Sequence, residues 1–395
     1  MMKNINPLYL FFILVYSNEG LYSLAGQTLY YLKREVWHLS ASTIGWISFI
    51  IGLPWCIKII WGYFSDRFPS KIKSILIINY IIGILTYLYI IIFGLNIVSL
   101  TITGFLISLY ISFSDTINDK QMCVEEQKGN LFGKIQALQW SSFGLVSVLV
   151  SIFGAMLASS FPTHLAYKIG YSIALILPIL TLIYFFKYYK APTECKAVSF
   201  QVFRQELTLF KSPTFIIAIL FIALLQLSPS FGTPLMIYAR ESLHVNKMFL
   251  GYLGATGEVL SLVGYLLYYR YCQKFDLFKM LQFMIICTVI TNLFYLYIPN
   301  QWFLLGYNIA FGAFNGMSFL ILLNFFVQLV PKNSEGFFYA CLTGISNLCG
   351  NGSGVLGGYI YDHWGYSTTV IVASVTTACC LFIIPHLKGV KNVVS

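Results

Sequence analysis

The sequence predicts an all-α integral membrane protein of about twelve transmembrane helices in two six-helix halves. Three observations carry this: long apolar runs, a scarcity of charge, and a one-sided placement of the charges that remain. Of 395 residues, 58% are hydrophobic and only 10% are charged, whereas a soluble domain carries about a quarter charged residues to face water. Apolar runs of about 18 to 25 residues recur from end to end, each long enough to cross roughly 30 Å of hydrocarbon as a helix. They are too long for barrel strands and do not alternate in polarity.

The runs place helices at 7–31, 41–63, 73–94, 97–120, 132–158, 169–189, 213–239, 248–270, 278–298, 301–328, 337–360 and 367–386. With the N-terminus inside, the cytoplasmic segments hold 18 Lys and Arg and the outer loops hold 5, with Lys58 inside a helix. That bias is the positive-inside rule, so the net charge of +10 is a topology signal and not a nucleic-acid footprint. Both termini are expected in the cytoplasm, with the chain in the cell (inner) membrane. The resulting division is a first half over 1–190, a cytoplasmic central loop over 191–212, a second half over 213–387 and a cytoplasmic tail over 388–395. Ser23-Leu24-Ala25 has the small residues of a cleavage site, but Asn18 and Glu19 interrupt the run before it. An uncleaved first helix is the reading.

The nine cysteines form no CxxC pair and no cluster with the five histidines. Cys56, Cys287, Cys341, Cys349, Cys379 and Cys380 fall inside predicted helices as small packing residues. No metal and no cofactor is expected. The sequence also lacks a Ser/His/Asp constellation or a Gly-rich phosphate loop, so an enzyme is not expected. A membrane receptor or sensor would share the same helices and stays as an alternative.

Sliding the chain by 206 positions superposes its halves. Gly26/Gly232, Leu29/Leu235, Arg34/Arg240, Glu35/Glu241, His38/His244 and Gly45/Gly251 coincide without a gap. Four of these are the Arg, Glu, His and opening Gly of one loop, which points to descent by duplication. The repeated Arg-Glu-x-x-His falls in the loops after the first and seventh predicted helices, where a loop-ordering ion pair is the expected role.

Ionisable groups at membrane depth are costly, so each is a functional candidate: Glu19, Lys58, Asp115, Asp119 and Glu258. In the fourth predicted helix Thr101, Gly104, Ser108, Ser112, Asp115 and Asp119 recur at steps of three and four and share one face. Glu19, Tyr22, Ser23, Gly26 and Tyr30 make a comparable face on the first. Both faces are expected to line a cavity, with polar helix packing as the alternative. Lys58 and Asp115 fall at matching depth, so they are expected to pair, since either charge alone would be uncompensated. Glu19 has no basic partner in the pattern and is the first candidate to carry a coupling proton; Glu258 is the second. Gly350, Gly354 and Gly358 form an i, i+4 ladder suited to close helix packing, and Asn308, Gly312 and Asn315 share a face of the tenth helix.

Gly62-Tyr-Phe-Ser-Asp66-Arg67, between the second and third helices, resembles the G-x-x-x-D-R cytoplasmic gating signature of the major facilitator superfamily. More specifically, Leu53-Pro54-Trp55 through Lys58 to Pro69, and Ser114-Asp115-Thr-Ile-Asn-Asp119 with Val124-Glu125, resemble the hallmarks of the folate–biopterin transporter family. Gln136 to Trp140, Ser228-Pro229-Ser230, Phe249-Leu250-Gly251 and Asn347 to Gly350 follow in that family's order. The resemblance implies a transporter of folates, pterins or, in some members, S-adenosylmethionine. The duplicated halves and polar faces fit a secondary transporter of a small polar metabolite working by alternating access, with protons as the candidate coupling ion and a monomer as the expected unit. The chain departs from the family at Glu19, where Gln is usual, at Tyr252, Leu253 and Gly254, where arginines are common, and at Glu258. Fewer basic groups and more acids count against a folate dianion; a folate or pterin stays the expected cargo, with a neutral or cationic metabolite as the alternative.

Overall fold

In a computed structural model, residues 7–129, 134–189, 208, 211–271, 275–329 and 335–387 are described. Every regular element among them is helical. Ten membrane-length helices among the described residues are α1 (Leu8–Val36), α2 (Ala41–Ser65), α3 (Ile72–Phe93), α4 (Ile97–Met122), α5 (Leu138–Ser160), α6 (Thr163–Lys187), α7 (Phe215–Glu241), α8 (Lys247–Tyr268), α9 (Leu277–Phe294) and α10 (Gln301–Phe326). An eleventh run, Phe337–Phe382, is twice the needed length. Gly365 divides it, with φ 79° and ψ −179°, a conformation that only glycine adopts cheaply. The two arms, α11 (337–364) and α12 (366–382), complete twelve crossings. The expected loop over 361–366 is thus almost entirely helical, and a single residue turns the corner between the last two helices.

Twelve crossings bring the chain back to the end of the bundle where it starts, called the terminal end below. The loops after α1 and α7 lie at the opposite, far end. Most of the central loop expected over 191–212, and the tail expected over 388–395, lie outside the described residues.

Each half has its own core. In the first, Phe11, Tyr80, Tyr87, Tyr110, Tyr171 and Phe185 are essentially inaccessible and pack together. In the second, Phe221, Ile285, Phe325, Phe326 and Phe338 do the same. Neither core draws a buried residue from the other half, so each can move as a unit. The outer faces carry Leu85, Ile92, Leu145, Leu220, Leu266 and Val375 in the open. That apolar belt is far larger than a water-soluble surface tolerates, and it fits lipid.

The halves meet most extensively along α2 with α11 and along α5 with α8. Glycines set the first seam. A Cβ on Gly45 would stand 2.8 Å from the Gly354 carbonyl oxygen, and one on Gly358 would crowd the Ala41 carbonyl. The expected ladder is therefore uneven: Gly358 is a true close approach, whereas Gly350 and Gly354 have open space where their own Cβ would project. Gly357, outside the ladder, lies against the backbone of Ser230.

Two helices are interrupted where the polar residues gather. In α1 a 3-10 turn at Ser23–Ala25 separates two α-helical stretches, and a π-helical turn at Leu32–Val36 ends it. In α2 Pro54 supplies no N–H, and Ile57 leaves helical geometry at φ −95°, ψ 16°, immediately before Lys58.

Candidate functional site

Three groups of polar residues are strung along α1, from the terminal end to the far end. Tyr16 and Glu19 belong to the first, Ser23, Gly26, Gln27 and Tyr30 to the second, and Arg34 and Glu35 to the third. At about 1.5 Å per residue, Glu19 and Arg34 lie roughly 20 Å apart along the helix.

The first group is a buried charge cluster inside the first half. The Lys58 ammonium donates to Asp115 Oδ2 and lies 4.0 Å from Asp119 Oδ2. Lys58 and Asp115 are buried, and the ammonium also sits 4.7 Å from the centre of the Trp55 ring. The Tyr16 hydroxyl donates to Asp119 Oδ1 at 3.1 Å, and the Tyr16 ring packs edge-on against Trp140. Glu19 is half-buried within the electrostatic reach of Asp115, Lys58 and Asp119, with no hydrogen bond or ion pair of its own among the described residues. Tyr22, one turn on, lies against Ser108.

The polar face of α4 is therefore turned inward. Ser108, Ser112 and Asp115 are almost wholly buried, and Gly104 sits under Ile51 of α2. No residue of α4 lines the inter-half cavity described next. α1 and α2 pack directly on this face, while Thr101 and Asp119 at its two ends stay half-buried. At the terminal end of α2, Gly62 is buried, and its carbonyl accepts from Ser65 Oγ at 2.7 Å. Lys120 Nζ donates to the Ser65 carbonyl at 3.0 Å, tying α4 to this end. Asp66 and Arg67 end the helix, and their side chains lie outside the described residues.

The second group opens on a cavity of about 680 Å³ between the halves. Its walls are α1 and α5 on one side and α7, α8 and α10 on the other. Glu258, midway along α8, is the one charged side chain among the described residues lining it. Its carboxylate has no hydrogen-bond or ion-pair partner among the described residues. The Tyr30 hydroxyl is buried there and also unpartnered. Asn315 presents an exposed amide to the same space, while Asn308 is engaged with the Leu253 carbonyl at 2.5 Å. Gln27 binds the Tyr31 hydroxyl at 3.0 Å and the Lys247 carbonyl at 2.9 Å. Three unpaired polar groups on an otherwise apolar and small-residue wall are what a ligand's own donors would satisfy.

The third group closes the far end. Arg34 makes a two-pronged bridge to Glu241, at 2.7 and 3.0 Å, from the first half to the second. Arg240 reaches back to Glu35 at 2.8 and 3.1 Å, and Lys247 binds the other oxygen of Glu35 at 3.0 Å. The loops around them match in detail. Arg34 Nη1 donates to the Leu39 carbonyl and Arg240 Nη1 to the Val245 carbonyl, each five residues on. His38 and His244 hold φ of 51° and 52°, a left-handed conformation that histidine tolerates better than most residues. The arginine and glutamate of each repeat thus lie on the last helical turns and not in the loops. The acid and base pair with the other half, not with each other.

The structure brings Glu19, Lys58, Asp115 and Asp119 together and sets Glu258 apart from them in the cavity. Sequence reasoning missed Gln27, Ser261 and Asp362. Asp362 caps the first turn of α2, accepting from Ala41 N at 3.0 Å and Ser42 N at 2.8 Å. It lay just past the predicted end of the eleventh helix, and a longer helix bound would have put it among the ionisable residues to be explained.

The family model of the Major Facilitator Superfamily matches residues 8–340 and 230–392. Folate transporter 1 of Plasmodium falciparum (isolate 3D7) is 22% identical over 419 residues, covering 95% of this chain and 79% of the relative. Folate transporter 2 of the same organism is 22% identical over 357 residues, covering 85% and 76%. Among solved structures, the D-xylose-proton symporter superposes with a TM-score of 0.73 at 14% identity, covering 97% of this chain and 98% of that one. A mutant of the nucleoside transporter NupG gives 0.71 at 15%, covering 97% and 100%. These last two likenesses are likenesses of fold.

Proposed function

This chain belongs to the major facilitator superfamily, and we propose that it is a secondary active transporter carrying a folate or pterin by alternating access. The observation that carries this reading is the cavity: it lies between two halves with separate cores, and its unpaired polar groups are Glu258, Tyr30 and Asn315. The curated relatives named folate transporters support the class of cargo. A pterin ring has a flat face for Tyr30 and Tyr295 and a donor edge that the Glu258 carboxylate can accept. In this reading the terminal end faces the cytoplasm, in keeping with the bias of basic residues, and the protein works as a monomer.

A second reading has a specific observation behind it. Among the described residues lining the cavity there is no Lys, Arg or His, and one carboxylate stands alone. That suits a cationic or neutral metabolite, such as S-adenosylmethionine, better than a folate dianion. Uptake of labelled folate, biopterin and S-adenosylmethionine into proteoliposomes separates the readings. Folate or biopterin uptake that falls with Glu258→Gln supports the first; uptake of S-adenosylmethionine alone overturns it.

Protons are the coupling ion in this proposal. Glu19, Asp115 and Asp119 set three carboxylates against the single Lys58 ammonium in a poorly hydrated site. Such an excess needs a proton or a cationic cargo to offset it. With Lys58 held to Asp115 and Tyr16 on Asp119, Glu19 is the group left to exchange a proton. Glu19→Gln is expected to abolish uphill uptake driven by a pH gradient while leaving exchange of labelled for unlabelled substrate intact. Loss of exchange as well assigns Glu19 to substrate contact; unchanged uphill uptake removes it from the mechanism.

A further inference from the structure

We infer that the duplicated Arg-Glu pairs form a two-fold latch that holds the far-end door of the cavity shut, with Arg34, Glu35, Arg240 and Glu241 as positioning residues for transport. The inference rests on the alternating-access reading above and adds to it which contacts must break for the cavity to open at that end.

Four observations converge on it. Each bridge joins one half to the other, so rotating the halves apart at the far end necessarily breaks both. The bridges are reciprocal: the arginine of each half takes the glutamate of its counterpart, with the same backbone tether and the same left-handed histidine behind each. Lys247 adds a third cross-half bridge on Glu35 that has no counterpart in the other repeat. The bridges also adjoin the cavity wall. Gln27, which lines the cavity, donates to the carbonyl of Lys247, whose own ammonium is held by Glu35. Moving the latch therefore moves a wall of the cavity.

The fourth observation is exposure. The Arg34 and Arg240 side chains are about a fifth exposed, at 22% and 23%, and Glu241 is half exposed at 51%. A buried bridge would be too costly to break in each cycle, whereas a partly hydrated one exchanges its partner for water at little cost. These contacts are built to be made and unmade. Alternating access needs that property at a door, and it would be out of place in a static tie.

The test reads the door directly and needs no substrate. Ser23→Cys places a thiol on the cavity wall, in a background with the native cysteines replaced by alanine. A membrane-impermeant thiol reagent is applied to the face of the membrane on which the far end lies. Arg34→Glu, which sets two carboxylates against each other, should raise the labelling rate about fivefold, and Arg240→Glu should raise it less, because Lys247 still holds Glu35. Combining Arg34→Glu with Glu241→Arg should return the rate close to that of the parent, because the bridge is rebuilt in reverse. Raising the salt concentration should speed labelling of the parent and have less effect on Arg34→Gln with Arg240→Gln. Reversals that label at the parent rate would overturn the latch. So would a charge exchange that labels as fast as the single reversal, since the loops and not the bridge would then be at fault. If the functional reading fails, no metabolite is taken up, while these labelling rates keep their order.

Discussion

Two groups of opposite charges, about 20 Å apart along α1, solve opposite problems, one with lysine and aspartates and the other with arginines and glutamates. The Lys58 cluster lies inside one half, with the Lys58–Asp115 pair at its heart buried and Asp119, a second carboxylate on the ammonium, part-exposed beside it. The Arg34–Glu241 and Arg240–Glu35 bridges lie between the halves and are partly hydrated. Burial makes the first group hard to dismantle, because each member left alone would be an uncompensated charge in a poorly hydrated interior. Hydration makes the second easy to dismantle, because water replaces what the partner supplied. A carrier needs both. The first keeps a half intact while its partner swings, and the second lets the swing occur.

The comparison breaks most visibly at Lys58. Lys58→Ala and Asp115→Ala should each cost about 3–5 kcal/mol of stability by the precedent of buried pairs in soluble proteins. The double variant should cost less than the sum, read from thermal unfolding in detergent. Asp119, 4.0 Å from the ammonium, will take up part of the loss in Asp115→Ala, so that variant should be the milder of the two. Strict additivity would mean that the two side chains do not support each other. By contrast, Arg34→Gln should lower global stability by no more than about 1 kcal/mol, in keeping with a partly exposed bridge. If the two losses were equal, the contrast between buried and hydrated charge would fail.

A smaller effect is expected on the α2–α11 seam. Gly358→Ala puts a methyl against the Ala41 carbonyl and should cost about 1–3 kcal/mol by overpacking. Gly350→Ala has open space and should stay within about 0.5 kcal/mol of the parent in the same unfolding assay. Equal small gains at the two positions would show that helix propensity, which favours Ala over Gly, governs them and not the seam.

The fold was legible because the membrane leaves few options, and apolar length gives the crossings. The matching depths of Lys58 and Asp115 foretold their contact, since depth along a helix is a one-dimensional quantity that counting recovers. Rotation about the helix axis is not. The α4 face was correctly seen as polar, yet whether it met water or another helix depended on where α1 and α2 packed. The Arg-Glu-x-x-His repeat showed the same limit: its duplication stood out in the sequence, but adjacency along the chain suggested a local pair. Only the apposition of the two far ends shows that each arginine is matched to the other half's glutamate. The Gly350, Gly354 and Gly358 ladder holds unevenly for a related reason: a spacing of four drifts around a helix, so Gly358 lies against Ala41 and the Gly354 carbonyl against Gly45, while Gly350 faces open space.

Asp362 provides the smallest and most discriminating case, because it combines features of both charge groups. It joins the halves, as the far-end bridges do, yet its partner is a helix terminus and not a cation. Its two oxygens accept from Ala41 N and Ser42 N at the start of α2, where unpaired N–H groups and the positive end of the helix dipole favour a carboxylate. Ser40 already caps the same turn by accepting from Thr43 N, so the contribution left to Asp362 is that of a second cap. Asp362→Ala should cost about 1 kcal/mol. Asp362→Asn should cost nearly as much, since the amide oxygen keeps one hydrogen bond while the charge and the second acceptor are lost. Because the contact spans the two halves at the far end, the same variants should also speed labelling of Ser23→Cys, though less than reversing Arg34 does. Destabilisation without faster labelling would make Asp362 a cap of α2 alone. Faster labelling at unchanged stability would make it a third element of the closure.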